Sequence, residues 1–335
     1  MIPPKEADHL STQRPRRIGV LTSGGDAPGM NACLRAIVRT AVYHNLEVIG
    51  FQRGYCGVLL GEYLTLDARS VANIIHRGGT ILGSARCPEM HHVEGLERAA
   101  STLKGLGIEA LLVIGGNGSM QGALSLAEHW SGQIIGLPGT IDNDLGGTDW
   151  TIGFFTALDT ALDAADRLRD TAEAFDRIFL LEVMGRHAGW IALFTGIGGG
   201  AEEILIPEHA YDPDTIVKRI KESRSRGKRS HIIVVAEGAC EGGVSRVAAD
   251  IEGHGFETRT CVLGHVQRGG SPVALDRYLA TELGVFAVQA ALDGKSHVLA
   301  GKQGKTNRLV PLNEALDGNN QPPMHLLEIN RFLAT

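Results

Sequence analysis

Glycine punctuation constrains this chain more than any other feature of its sequence. Short runs rich in Val, Ile and Leu recur along it, separated by longer stretches of helical period, and they run into glycine-rich turns. Glycine supplies 44 of the 335 residues, with 12 prolines and no collagen-like period. That is roughly twice the usual share, so the excess serves local backbone needs. The runs at 18–22, 46–51, 109–115, 133–137, 177–183, 203–207, 231–237 and 259–264 read as strands. Several are apolar on consecutive residues, as strands covered on both faces are. Helices are expected near 29–43, 93–105, 119–130, 154–170, 187–196, 212–225, 244–252 and 273–291. The alternation predicts an α/β fold of doubly wound parallel sheets, whose ligands sit outside the carboxyl ends of the strands.

Length and composition narrow the function. A chain of this length is expected to form two domains. With 43% hydrophobic and 21% charged residues, wholesale disorder is excluded. Lys and Arg number 32 against 38 Asp and Glu, a net charge of −6, so no global basic field draws nucleic acid or an anionic membrane. Any anion site must be a local cluster. Cys33, Cys56, Cys87, Cys240 and Cys261 are odd in number with no CxxC pair, which predicts reduced thiols in a cytoplasmic protein and no zinc site. No apolar run is long enough for a membrane span, and the polar start predicts no signal peptide. Residues 1–14 are expected to be a loose arm. The basic run at 222–230 reads as a solvated helix end and loop.

Two strand, glycine-loop and helix sequences carry chemistry. IGVLT is followed by SGGDAPGMN and a helical stretch, and LLVIGGNGSMQGAL (111–124) repeats the order. Such a loop brings backbone N–H groups and a positive helix end close to a phosphate. Neither carries the GxxxxGK[ST] lysine, which removes the P-loop class. The second reads GxGxxxG from Gly116, one residue longer than the dinucleotide-binding spacing, so a nicotinamide oxidoreductase is a weak competitor. PGTIDNDLGGT (138–148) places Asp142 and Asp144 two apart, which in an extended segment sends both carboxylates to one side. One carboxylate could take a proton while the other holds a divalent cation, as phosphoryl transfer to a hydroxyl requires. Arg86, Arg177, Arg186, Arg259 and Arg268, with His265, stand beside glycine turns or strand ends. Their planar guanidinium forks suit phosphate oxygens and suggest phosphorylated ligands.

LTSGGDAPGMN, RGGTILGSAR, GLPGTIDNDLGGTDWTIGFFTALDTALDAADRLRDT, EVMGRHAGW and TCVLGHVQRGGSP together resemble the bacterial ATP-dependent 6-phosphofructokinases, over about Arg16 to Arg308. The resemblance implies two Rossmann-like domains: a discontinuous nucleotide-binding domain over 15–152 plus 266–316, and a sugar-phosphate-binding domain over 153–265 plus 317–335. It implies a kinase of glycolysis that moves the γ-phosphate of ATP to the 1-hydroxyl of fructose 6-phosphate, with Mg²⁺ as cofactor. Gly24, Tyr55, Arg86, Gly116, Gly118, Ser119 and Gly122 would surround the nucleotide. Asp142 would be the base, with Thr140 beside it, Asp144 near the magnesium, and Arg86 and Arg186 neutralising the transferring phosphoryl. Met184, Gly185, Glu237, His265 and Arg268 would hold the sugar phosphate. Arg177 and Arg259 would reach in from a neighbouring subunit of a homotetramer. Arg35, Arg39, Arg169, Gly200, Glu202, Arg226 and Lys228 match an allosteric site for ADP or phosphoenolpyruvate.

Two departures from the family pattern stand out. Asn117 occupies the place of a magnesium-associated aspartate, and Glu62 and Ser230 fall where well-known members have arginine and histidine. The rival readings are a pyrophosphate-dependent phosphofructokinase and, because of Asn117, a low-activity regulatory subunit that binds sugar phosphate. Pyrophosphate users that resemble this chain carry Asp and Lys where it has Gly118 and Gly139. Glycine at both positions is expected to leave room for a nucleotide.

Overall fold

The computed structural model describes residues 14–172 and 177–334; the expected loose arm falls, save Arg14, outside the described residues. In chain order the elements are β1 (Arg17–Thr22), α1 (Met30–Tyr43), β2 (Glu47–Phe51), α2 (Tyr55–Leu60), β3 (Tyr63–Leu66), α3 (Val93–Gly105), β4 (Ala110–Gly115), α4 (Asn117–Ala127), β5 (Gln133–Thr140) and β6 (Ile152–Gly153). They continue with α5 (Phe154–Ala172), β7 (Ile178–Val183), α6 (Trp190–Gly198), β8 (Glu203–Leu205), α7 (Pro213–Ser225), β9 (His231–Ala236), α8 (Gly243–Glu252) and β10 (Thr258–Val262). The chain closes with α9 (Ala274–Leu292), β11 (Val298–Gln303), β12 (Thr306–Pro311), α10 (Leu312–Asp317) and α11 (His325–Leu333).

Two sheets form. The larger runs β12-β11-β5-β4-β1-β2-β3, with β6 paired to the end of β5, and the smaller runs β10-β7-β9-β8. The smaller sheet and the centre of the larger are parallel, as expected, but β3 and β12 close the two edges of the larger sheet antiparallel. Those edges lack the apolar runs of the central strands: β3 leaves three of its four residues exposed, and β12 has no fully buried position. Central β4 is buried at all six positions, the pattern of a strand covered on both faces.

Alternation across β1 shows how the two faces are filled. Ile18 and Val20 pack with Met30, Ile37 and Leu283 on the α1 and α9 side, while Leu21 packs with Val58, Leu103 and Met120 on the side of α2, α3 and α4. The first cluster continues through Phe154 and Ile191 into Leu181 and Val234 of the smaller sheet, whose other face packs with α7 and α8. Where the two parts meet, the fully buried Asp276 of α9 caps α5 in place of a local residue. Its carboxylate accepts the N–H of Gly153 at 2.8 Å and of Thr156 at 2.7 Å, and also the Thr156 hydroxyl. These bonds satisfy donors that a helix start otherwise leaves open.

Candidate active site

Register brings the carboxyl ends of three strands side by side: Thr22 pairs with Ile114, and Gly115 pairs with Pro138 just before Thr140. Above them α4 begins at Gly116 with no side-chain cap and no acidic residue in its first turn, so its open N–H groups face this edge. Gly118 has nothing within 4 Å of where a Cβ would lie, so the loop opens onto free space. Gly139 is different: a Cβ there would come 2.9 Å from Ile114 and 3.1 Å from Met30. Its smallness therefore serves packing between β4, β5 and α1, and the expectation that it makes room for a nucleotide is overturned.

The first glycine loop lies alongside. Gly24 adopts φ 83°, and its carbonyl accepts the Ser84 hydroxyl, which docks the 80–87 segment carrying the exposed Arg86. Tyr55 is buried beneath α4, with its hydroxyl donating to the Ser119 carbonyl at 2.7 Å and its ring where a Gly122 Cβ would come within 3.2 Å. It shapes the floor of the loop, and its hydroxyl is already occupied.

The carboxylate pair is brought together by other means than extension. β5 ends at Thr140, and Asn143 between the two aspartates takes the left-handed φ of 52°. Asn143 is fully buried; its Oδ1 accepts the Thr151 N–H at 2.8 Å and its Nδ2 donates to the Asp149 carbonyl at 3.1 Å. Asp142 is buried, with Oδ1 lacking a hydrogen-bond partner, while its N–H donates to the Thr140 hydroxyl at 3.2 Å. Burial chiefly, then the charges of Asp144 and Glu237, push its carboxyl up to about 6, against the opposing pull of Arg268 and Arg186. Burial raises Asp144 as well, while a hydrogen bond from the Asn117 amide and the charges of Arg186 and His187 lower it. Asn117 and Asp144 are thus neighbours, and both carry side-chain oxygens of the kind magnesium takes beside substrate phosphates.

Three further segments face the aspartates. After β7, Gly185 at φ 140° and Arg186 at φ 53° turn the chain, and the Glu237 carboxylate accepts their N–H groups at 3.3 and 2.8 Å. The 3-10 turn Gly264–Arg268 carries His265 and Arg268, and Arg268 reaches the first glycine loop, donating to the Asp26 carbonyl at 3.3 Å. A Cβ on Gly25 would sit 2.3 Å from Arg268 Nη1, so the guanidinium in this position occupies the space beside that glycine. Gln267, which the sequence did not single out, is fully buried in the same turn and accepts the Met184 N–H at 2.8 Å.

Two predicted groups lie elsewhere. Arg177 and Arg259 both ion-pair with Glu257 at the β10 edge of the smaller sheet. Arg169, Gly200 and Lys228 gather around the buried Glu202: Lys228 Nζ reaches its carboxylate at 2.8 Å, and Arg169 donates to the Gly199 and Gly200 carbonyls at 2.6 Å. A cavity of about 470 Å³ adjoins this cluster and is lined by Glu202 and Arg226. The basic run at 222–230 is therefore in part structural, since Lys228 is paired and Arg224 stands 4.8 Å over the Phe256 ring. Arg35 and Arg39 belong to α1, and no hydrogen bond or ion pair among the described residues joins them to that cluster.

An open helix end at the sheet edge, a buried carboxylate held near neutrality and arginines aimed at it define an α/β phosphotransferase, built to take a proton from a hydroxyl while phosphate charge is neutralised. Residues 17–291 match the phosphofructokinase family model. The chain is 52% identical over 320 residues to an ATP-dependent 6-phosphofructokinase of Thermus thermophilus, covering 95% of this chain and 99% of that protein. It is 51% identical over 321 residues to an ATP-dependent 6-phosphofructokinase of Bacillus subtilis, with the same coverage. A solved phosphofructokinase of Saccharomyces cerevisiae superposes with a TM-score of 0.85 at 37% identity over 95% of this chain, which spans 48% of the yeast chain. This chain belongs to the phosphofructokinase family.

Proposed function

We propose that the protein is an ATP-dependent 6-phosphofructokinase that moves the γ-phosphoryl of ATP to the 1-hydroxyl of fructose 6-phosphate, giving ADP and fructose 1,6-bisphosphate in glycolysis. The observation that carries this reading is Asp142, a buried carboxylate with an unpartnered oxygen and a carboxyl raised to about 6. A base titrating near the working pH is ionised at neutrality and still basic enough to accept the proton. As Asp142 takes that proton, the sugar oxygen's electron pair attacks the γ-phosphorus. The bond to the bridging oxygen breaks, and ADP leaves with its electrons. Arg86 and Arg186 offset charge on the transferring group.

The phosphates of ATP would lie against Gly24, Arg86 and the α4 start at Gly116–Ser119, where the open space at Gly118 admits the nucleotide. Asn117 and Asp144 would hold Mg²⁺, which supplies charge neutralisation of the phosphate oxygens when bound. Thr140, Met184, Gly185, Glu237, His265 and Arg268 would hold fructose 6-phosphate, with Arg177 and Arg259 contributed by a neighbouring subunit of a homotetramer. The division of labour follows the sheets: 15–152 plus 266–316 for the nucleotide, and 153–265 plus 317–335 for the sugar. The cluster around Glu202, with Arg35 and Arg39 from another subunit, would take an ADP or phosphoenolpyruvate effector. No described helix is long and apolar enough to cross a membrane, and we place the enzyme in the cytoplasm.

Turnover with ATP and with pyrophosphate, each with fructose 6-phosphate over a magnesium titration, tests the reading. ADP release is expected to follow sugar phosphorylation one for one; faster turnover with pyrophosphate than with ATP would overturn the choice of donor.

A further inference from the structure

After α10 the chain does not leave the molecule but runs as a strap behind the catalytic loop. Asn319 pairs with Leu145 in an antiparallel bridge. The Asn320 N–H donates to the Asp144 carbonyl at 3.4 Å, and its side-chain Nδ2 donates to the carbonyls of Asn143 at 3.1 Å and Asp149 at 3.2 Å. Its own carbonyl accepts the Trp190 indole N–H at 2.7 Å. The approach is close enough that a Cβ on Gly146 would lie 2.7 Å from the carbonyl oxygens of Ala315 and Gly318. Trp190 in turn packs edge-on against Trp150 of the same loop, with centroids 5.8 Å apart. Asn320 lies 177 residues from Asn143 in sequence.

The loop needs such a hold. Asn143 keeps a left-handed φ that non-glycine residues adopt at a cost, and strained backbone persists only when its surroundings over-determine it. Its side chain is fixed from within by Thr151 and Asp149, and its carbonyl is fixed from behind by Asn320. We propose that Asn320 is a positioning residue for phosphoryl transfer: by holding the backbone of Asn143, Asp144 and Asp149, it sets the separation of the Asp142 and Asp144 carboxylates. This rests on the reading of Asp142 as the base.

The test is Asn320→Asp, equal in size but lacking the two amide donors, with Asn320→Ala alongside in case the added charge prevents folding. Both are assayed as full chains for kcat and for the KM of each substrate, with thermal unfolding recorded. We expect kcat to drop about 10- to 100-fold with both KM values within about twofold, in protein that remains folded at the assay temperature. An unchanged kcat, a KM that rises in step with the loss of kcat, or a loss matched by the unfolded fraction overturns the proposal. If instead the wild-type chain fails to phosphorylate fructose 6-phosphate with ATP, the reading of the site fails and takes the proposal with it.

Discussion

Asn117→Asp tests how the metal side of the site works. The Asn117 amide donates to Asp144, the carboxylate whose charge helps to raise Asp142. The substitution removes that donor and puts a second negative charge in its place. Losing that donor and gaining a neighbouring charge both raise the Asp144 carboxyl further in the absence of metal. Bound Mg²⁺ reverses the balance, because a carboxylate is a better magnesium ligand than an amide. The variant is expected to lower the Mg²⁺ midpoint about 10- to 100-fold and to raise kcat at saturating ATP and fructose 6-phosphate. In metal-free buffer, its stability relative to the wild type should fall as rising pH ionises the crowded carboxylates. Magnesium titrations of kcat and urea unfolding with and without Mg²⁺ measure both. A variant with an unchanged midpoint would show that the ion is ordered by other groups and would refute the role given to Asn117.

Other outcomes follow from the same geometry. Because the base must be ionised, kcat is expected to fall as pH drops through about 6, the range to which burial and Asp144 push Asp142. Proton binding is tighter in the folded state, so this group's contribution to stability is full below pH 3.8 and lost as pH rises through about 6. Asp142→Asn should therefore abolish turnover yet raise stability at pH 7 by up to about 3 kcal/mol, an advantage that vanishes near pH 4 in urea unfolding. Arg259→Ala should raise the KM for fructose 6-phosphate strongly, by the equivalent of about 2–5 kcal/mol, and leave that for ATP nearly unchanged; steady-state kinetics on the purified oligomer decides it. Asp276→Ala strips the buried cap from α5, leaves its donors unsatisfied and should cost about 1–3 kcal/mol of unfolding free energy, read by urea denaturation. Micromolar phosphoenolpyruvate is expected to inhibit weakly or not at all. Glu62, ion-paired with Arg53, and Ser230 stand where the family resemblance calls for cations, and the velocity against effector concentration checks it.

Sequence alone determined the layers and the identity of the chemical groups. β1, β4, β7 and β9 are apolar on consecutive residues because helices cover both their faces, so each is legible without its neighbours. Asp142, Asp144, Arg186 and Arg268 were legible because glycine turns at strand ends mark where a parallel sheet exposes its ligands. Tertiary structure decided how those groups are held. The two aspartates share a side through the left-handed Asn143, bonded to Thr151 from within and to Asn320 from behind, and not through extension. That Tyr55 underlies α4 through the Ser119 carbonyl, and that the space beside Gly139 is filled by Ile114 and Met30, only the packing shows. Gln267, Asp276 and Asn320 left no local signature. Their partners lie 83 to 177 residues away, and a structural polar side chain is recognisable only by the distant donors and acceptors that the fold brings to it.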